Sequence, residues 1–112
     1  MINRAALIVR PKQPFIDWTR GIENGEIIPE AEGEQTVYLI REHDTPKEFE
    51  KILKEIWSYI FENQLCGWYL DEDVWPKNRT YSMFKLWFKI ECHTVIEDLC
   101  GDPIEDDQIE FE

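Results

Sequence analysis

The segment between Arg4 and Arg10 is apolar at every interior position and is followed by Pro11. Because neither face of an extended chain here suits water, the pattern predicts a strand covered on both sides. Pro11 ends this strand, since proline has no amide hydrogen for the ladder. The other elements of the chain must supply the cover.

Two further segments have strand patterns. Residues 36–41 are rich in β-branched and aromatic side chains, which favours a second strand. From residue 88 onward the core-type positions recur at every second residue, at 88, 90, 92, 94 and 96. This alternation predicts a third strand with one face toward the core.

Three segments favour helices. A short helix is predicted over residues 14–20, with Pro14 in its first turn and Gly21 as its end. Apolar residues spaced three and four apart predict a long helix that runs to about Cys66. A third, short helix is predicted through residues 83–87.

Two of these helices have capping residues in the sequence. Thr45-Pro46-Lys47-Glu48 matches a capping box, in which Thr45 accepts from the amide of Glu48 and the Glu48 carboxylate reaches back to the amide of Thr45. Asn78 or Thr80 is predicted to cap the third helix.

These elements predict an α+β fold in the order β-α-β-α-α-β. One domain spans residues 1–100, with a small three-stranded sheet, the first strand in its centre and helices on one face. Residues 21–35 are expected to form an exposed loop, residues 68–76 a packed loop, and residues 101–112 an acidic C-terminal tail. Because helices cover one face in this arrangement, apolar residues on the other face favour a homodimer.

Length and composition support a folded domain. The chain has 112 residues, of which 43% are hydrophobic, enough for a core without a disulfide or metal. No apolar run approaches the ~20 residues that cross a bilayer, and no secretory signal pattern is present, so a cytoplasmic location is expected. No CxxC pair is formed by the three cysteines, Cys66, Cys92 and Cys100. This favours thiols that are buried or idle, that is, without a chemical role, over a zinc site. No cofactor is predicted.

The charge balance is strongly acidic. The chain has 24 acidic and 12 basic residues, a net charge of −12, and six of the acids follow Gly101. A field of this sign disfavours direct binding to nucleic acid or to an anionic membrane and favours a basic protein or peptide as partner.

Four cations are candidates for binding an anion. Arg10 and Lys12 lie at the end of the first strand, near the start of the following helix, and Lys77 and Arg79 are candidates to join them. Guanidinium groups beside free backbone amides suit phosphate or carboxylate. The sequence has no glycine-rich phosphate loop, so ordinary surface ion pairs are the favoured interpretation.

Glu91 and His93 are the candidates for catalysis. They lie two residues apart on one predicted strand and therefore share a face, where a carboxylate and an imidazole can form a general-base pair or part of a metal site. Tyr38 is a candidate to complete the set from a neighbouring strand. Two ligands do not make a metal site, and a polar pair on a solvated face is the favoured alternative.

Aromatic residues near the acidic loop are candidates for an interaction surface. Trp68, Tyr69 and Trp75 lie in a segment that also contains Asp71, Glu72 and Asp73. Such residues suit a groove for a basic or amphipathic peptide, since Trp and Tyr dominate binding hot spots. Tyr38 is a fourth interaction candidate.

Three parts of the chain carry a resemblance. They are NRAALIVRPKQPFIDW at residues 3–18, WPKNRT at residues 75–80, and Trp87-Phe88 leading to His93. With these segments the chain resembles a group of small acidic bacterial proteins of unassigned function. The resemblance spans most of the chain and implies a bacterial, cytoplasmic protein, but it transfers no activity to any residue.

Two classes of function follow. The first, which is favoured, is a non-enzymatic interaction or regulatory module with an acidic, aromatic-edged surface for a basic partner. The alternative is a small anionic-ligand-binding protein or an enzyme that uses the open sheet face with Glu91, His93, Arg10 and Lys12. Whether the chain is an enzyme stays open, with the absence of a catalytic motif favouring the first class.

Overall fold

The computed structural model describes residues 1–22 and 36–106. In chain order its elements are β1 (Ala5–Pro11), α1 (Gln13–Ile22), β2 (Thr36–Ile40), α2 (Pro46–Cys66), a 3-10 turn (Glu72–Val74), α3 (Tyr81–Trp87) and β3 (Phe88–His93). The predicted α+β class and the order β-α-β-α-α-β are confirmed. Most of the predicted loop over residues 21–35, and residues 107–112 of the predicted tail, lie outside the described residues.

β1 is the central strand of the sheet. The strand order is β2-β1-β3, and both neighbours run antiparallel to β1. Leu7 lies opposite Tyr38 of β2 on one side and Cys92 of β3 on the other. The prediction of a central first strand is therefore confirmed, and Pro11 is its last residue, where a missing amide hydrogen costs least.

The three helices pack against one face of this sheet. On that face lie the buried residues of β1, which are Ala5, Leu7 and Val9. At the centre of the helical layer is Phe88, whose ring lies within 5.4 Å, centroid to centroid, of Phe15 from α1, Phe61 from α2 and Phe84 from α3. One residue of β3 thus joins all three helices to the sheet, in the tilted and edge-on geometries that aromatic rings prefer.

The other face of the sheet is open. Ala6 and Ile8 of β1 are half-buried there, and the Val37 and Leu39 side chains of β2 are 54% and 51% exposed. The prediction that the first strand is covered on both sides is therefore wrong. An apolar run shows that a strand lies centrally in a sheet, but it does not show whether the chain has enough helices for both faces.

The helix ends differ from the predictions in two details. α1 continues through Gly21 to Ile22, so Gly21 does not end it. At the start of α2, the Thr45 hydroxyl accepts from the Glu48 amide at 3.1 Å, as predicted. The Glu48 carboxylate, however, accepts from the amide of Asp44 at 3.2 Å and not from that of Thr45. One of the two hydrogen bonds of the predicted capping box is therefore present. The Glu48 carboxylate bonds the amide of Asp44, one residue before the predicted partner Thr45.

The last helix and strand are short. Thr80 caps α3 by accepting from the Met83 amide at 3.1 Å, which selects it over Asn78. β3 ends at His93, earlier than the alternation to residue 96 predicts. His93 lies opposite Ala6, and beyond the regular strand the two segments are still joined by a backbone hydrogen bond from the Ile2 amide to the Ile96 carbonyl at 2.9 Å.

We expect the two faces of the sheet to respond very differently to the same substitution. Leu7→Ala removes a side chain that is 0% exposed and should lower the free energy of unfolding by about 2–5 kcal/mol, the usual cost of a buried leucine. Leu39→Ala, on the open face, is the matched control and should change it by less than about 0.5 kcal/mol. Urea denaturation measures both, and equal losses would contradict the one-sided core.

Candidate functional site

The segment after α2 is held in place by two inward-facing aromatic residues. Trp75 is buried, and its indole N–H donates to the Tyr69 carbonyl at 2.8 Å. The Tyr69 ring packs edge-on against Trp18 at 5.5 Å, and the Trp18 indole N–H donates to the Val74 carbonyl at 2.9 Å. Tyr69 and Trp75, two of the predicted interaction residues, therefore act as anchors that fix the segment to α1.

The same anchors turn other side chains outward. Trp68 is 42% exposed and Leu70 is 82% exposed. They are followed by the exposed carboxylates of Asp71, Glu72 and Asp73, of which Asp71 also accepts from the Asp73 amide at 2.9 Å to start the 3-10 turn. Trp68, Leu70 and these three acids are called here the 68–73 surface.

The carboxylates of the 68–73 surface lack cationic neighbours. All twelve Lys and Arg residues of the chain lie in its described part, and none of them forms a salt bridge with Asp71, Glu72 or Asp73. Three adjacent negative charges thus stand beside two exposed apolar side chains. This segment therefore exposes apolar and negatively charged side chains within six residues of the chain.

A second cluster of predicted residues lies on the open face of the sheet. The Arg10 guanidinium donates to Glu91 at 3.4 Å, and the other carboxylate oxygen of Glu91 lies 2.8 Å from Nε2 of His93. The hydrogen bond from His93 lowers the pKa of the Glu91 carboxyl, and the charge of Arg10 adds to this shift. The structure therefore brings Glu91, His93 and Arg10 together as a partly exposed ionic group.

Tyr38 does not belong to that group. It lies opposite Leu7, on the helix-covered face, and β1 separates its strand from β3. Its hydroxyl donates to the Asn63 side chain and accepts from Gln64 at 2.9 Å. Burial raises the pKa of this phenol. The proposed completion of the Glu91 and His93 pair by Tyr38 is therefore geometrically excluded.

The four candidate anion-binding cations do not meet at one site. Lys12 donates to the Lys85 carbonyl at 3.3 Å, whereas Arg10 lies on the open face. Arg79 is on the helical side, where it donates to Glu62 at 3.2 Å and lies over the Trp75 ring at 5.7 Å. Lys77 is exposed. Arg10 and Arg79 thus lie on opposite sides of the sheet, and each has an acidic partner within the chain.

A groove of about 300 Å³ runs between the outer edge of β2 and α2. Its walls include Tyr38, Ile56 and Tyr59, and at its rim Arg41 lies 3.7 Å from Glu55. Tyr38 is the one predicted site residue in its lining. The apolar stripe of α2 predicted packing against the sheet but not a gap at the sheet edge, because the width of such a gap depends on tertiary packing.

Sequence reasoning also missed a contact between His43 and Cys92. Nε2 of His43 lies 3.7 Å from the Cys92 sulfur, although the residues are 49 positions apart. No spacing rule connects them. Of the two predicted alternatives, buried or idle thiols, burial does not hold for Cys66 and Cys100, which are exposed, and holds in part for Cys92; that the thiols are idle stays a prediction.

Comparison with known proteins gives no functional assignment: no protein-family model, curated protein or solved structure matches the chain. The described residues contain no group of three or more His, Cys, Asp or Glu side chains arranged to hold a metal ion. None of the described helices has the length and apolar character required of a membrane span.

The ionic group of Arg10, Glu91 and His93 on the open face should make the stability of the fold depend on pH. Since the folded pKa of Glu91 lies below its ordinary value, the carboxylate form is favoured by folding. This contribution to stability is present at pH values above the ordinary pKa of a glutamate. It is lost as the pH falls through the lowered pKa of Glu91 in the folded state. His93→Phe should raise the Glu91 pKa toward its ordinary value, and Arg10→Gln should raise it less, because the His93 hydrogen bond is the larger cause. A carbon-13 NMR titration of the carboxyl measures this, and an unchanged pKa in His93→Phe would count against the bond.

Proposed function

We propose that this protein is a non-enzymatic interaction module that binds a basic protein or peptide through the 68–73 surface. The observation that carries the proposal is the exposure of Trp68 and Leu70 directly beside three carboxylates without a salt bridge. A basic amphipathic partner would place apolar side chains on Trp68 and Leu70 and its cations on the acids.

The rigidity of the segment supports this proposal. Trp75 and Tyr69 each fix the backbone through a buried or half-buried ring, so the exposed residues do not have to be ordered when a partner binds. Pre-organisation of this kind reduces the entropic cost of association. The net charge of −12 adds long-range attraction for a basic partner and favours fast encounter.

The acidic charge and the free cysteines support three further parts of the proposal. A strongly acidic chain has no electrostatic reason to bind nucleic acid directly. A cytoplasmic location in a bacterium would be consistent with its free cysteines. Its partner would then be a cytoplasmic basic protein, and imitation of nucleic acid by the acidic surface is a lower-ranked variant of the same binding mode.

The open face of the sheet supports a homodimer as a separate proposal. Val37 and Leu39 are half exposed there, with Ile8 between them and the ionic group formed by Arg10 and Glu91. Two such faces in contact would cover these apolar side chains. Light scattering at micromolar concentration should give twice the monomer mass for the wild type and the monomer mass for Leu39→Lys. A monomeric wild type would end this proposal and leave the 68–73 surface unaffected.

We expect binding to the 68–73 surface to depend on its local charge. The probe is a dye-labelled helical peptide of leucine and lysine, with a leucine and glutamate peptide of the same pattern as a negative control. Asp71→Asn/Glu72→Gln/Asp73→Asn should weaken binding about tenfold, the sum of three exposed ion pairs. The first of these changes keeps a side-chain oxygen that can accept from the Asp73 amide and start the turn. Fluorescence anisotropy measures the affinity at two salt concentrations.

A matched variant separates local from global charge. Glu42→Gln/Asp102→Asn/Glu105→Gln removes the same three charges from exposed positions elsewhere and should change the affinity less than about threefold. Trp68→Ala should cost about tenfold or more, and Tyr59→Ala, an exposed aromatic on α2, should cost little. Equal effects of the two triple variants, together with no effect of Trp68→Ala, would refute binding at this surface.

A further inference from the structure

The contact between His43 and Cys92 has the geometry of a nucleophile and its base. His43 lies in the connection from β2 to α2, and Cys92 lies on β3, on the far side of β1. The connection must therefore cross the start of β1 to bring the imidazole to the thiol. The resulting distance of 3.7 Å between Nε2 and the sulfur is within hydrogen-bond reach for a thiol donor.

A third group, the carbonyl of Arg41, contacts the imidazole of His43. Nδ1 of His43 lies 3.3 Å from the Arg41 carbonyl oxygen. A carbonyl can only accept, so this contact is a hydrogen bond in the tautomer that carries the ring hydrogen on Nδ1, and in that tautomer Nε2 has a lone pair available to the Cys92 thiol. The ring also stacks on Phe49 at 5.3 Å and 29°. The Arg41 carbonyl and the Phe49 ring thus favour the tautomer and the orientation that a base for Cys92 requires, as in nucleophilic sites with a positioned third group.

The environment of the thiol explains why a base would matter. Burial raises the pKa of Cys92, so at neutral pH its resting form is the thiol. A protonated thiol is a poor nucleophile, because the thiolate is the attacking species. Cys92 is nevertheless only partly buried, a condition that reaction with a small reagent requires.

We propose that Cys92, with His43 as its general base, is a site of mixed-disulfide formation with a low-molecular-weight disulfide. The Cys92 sulfur attacks one sulfur of the reagent, and its proton passes to Nε2 of His43. A new sulfur–sulfur bond forms to Cys92 as the bond within the reagent breaks. The second sulfur leaves as a thiolate and takes the proton from His43. Cys92 is oxidised, the leaving thiol is reduced, and no further oxidant is required.

The chain contains its own controls for this reaction. Cys66 and Cys100 are exposed thiols without a histidine contact among the described residues, and they report the reactivity of unassisted cysteines. His93 is the second imidazole; it neighbours Cys92 in sequence but lies on the opposite face of the sheet, beside Glu91. His93→Phe is therefore the matched control for His43→Phe, which keeps an aromatic ring against Phe49 but removes the base.

The experiment uses the full chain with oxidised glutathione at pH 7, and peptide mass spectrometry measures the rate of adduct formation at each cysteine. His43→Phe should slow Cys92 by about tenfold or more, less than the hundredfold or greater effect of a base in a mature active site. The rates at Cys66 and Cys100 should stay within about twofold, as should the rate at Cys92 in His93→Phe.

A smaller effect of His43→Phe at Cys92 would overturn the proposal, and His43→Gln replaces that variant if the first does not fold by circular dichroism. Should neither variant fold, the proposal is tested by comparing the three cysteines within the wild-type protein. Faster adduct formation at Cys92 than at the exposed Cys66 and Cys100 supports the assisted thiol, and slower formation overturns it.

Discussion

The structure depends on the pairing of β1 with a strand on each side. β2 and β3 both hydrogen-bond to β1 and do not touch each other through the ladder, so the sheet exists only because the central strand is present. The same strand places Leu7 and Val9 beneath the helices. Backbone hydrogen bonding and apolar burial therefore meet in one short segment, and the loss of either would remove the support of the other.

The helical layer is attached to this sheet through aromatic packing at Phe88. Its ring contacts one phenylalanine from each helix, and it lies opposite Pro11 at the end of the β1 ladder. All three helices of residues 1–22 and 36–106 converge on this residue, so no helix in these ranges lies on the second face of the sheet. The open face and its ionic group of Arg10, Glu91 and His93 are thus a consequence of how the core is built.

The candidate sites also follow from this arrangement. Trp75 and Tyr69 face inward, and Tyr69 packs against Trp18 of α1. Leu70 and Trp68, which lie between and before them, are therefore left at the surface with the acids that follow. The β2 to α2 connection crosses the start of β1 on its way to the helical layer, and this crossing places His43 against Cys92. In both cases a connection between elements supplies part of the candidate site, as is common where loops are held on a rigid scaffold.

The sequence by itself determined the elements and their order. An uninterrupted apolar run indicated the central strand, spacing of three and four indicated α2, and Thr45 marked its start, because these patterns depend on local geometry alone. Tertiary structure decided which side of each element is covered. It turned Trp75 and Tyr69 inward, placed Tyr38 and Glu91 on opposite faces, gave Arg79 a partner in α2 and brought Cys92 to His43. These relations join residues far apart in the chain, and contacts at such separation depend on the path of the whole backbone, which no local pattern contains.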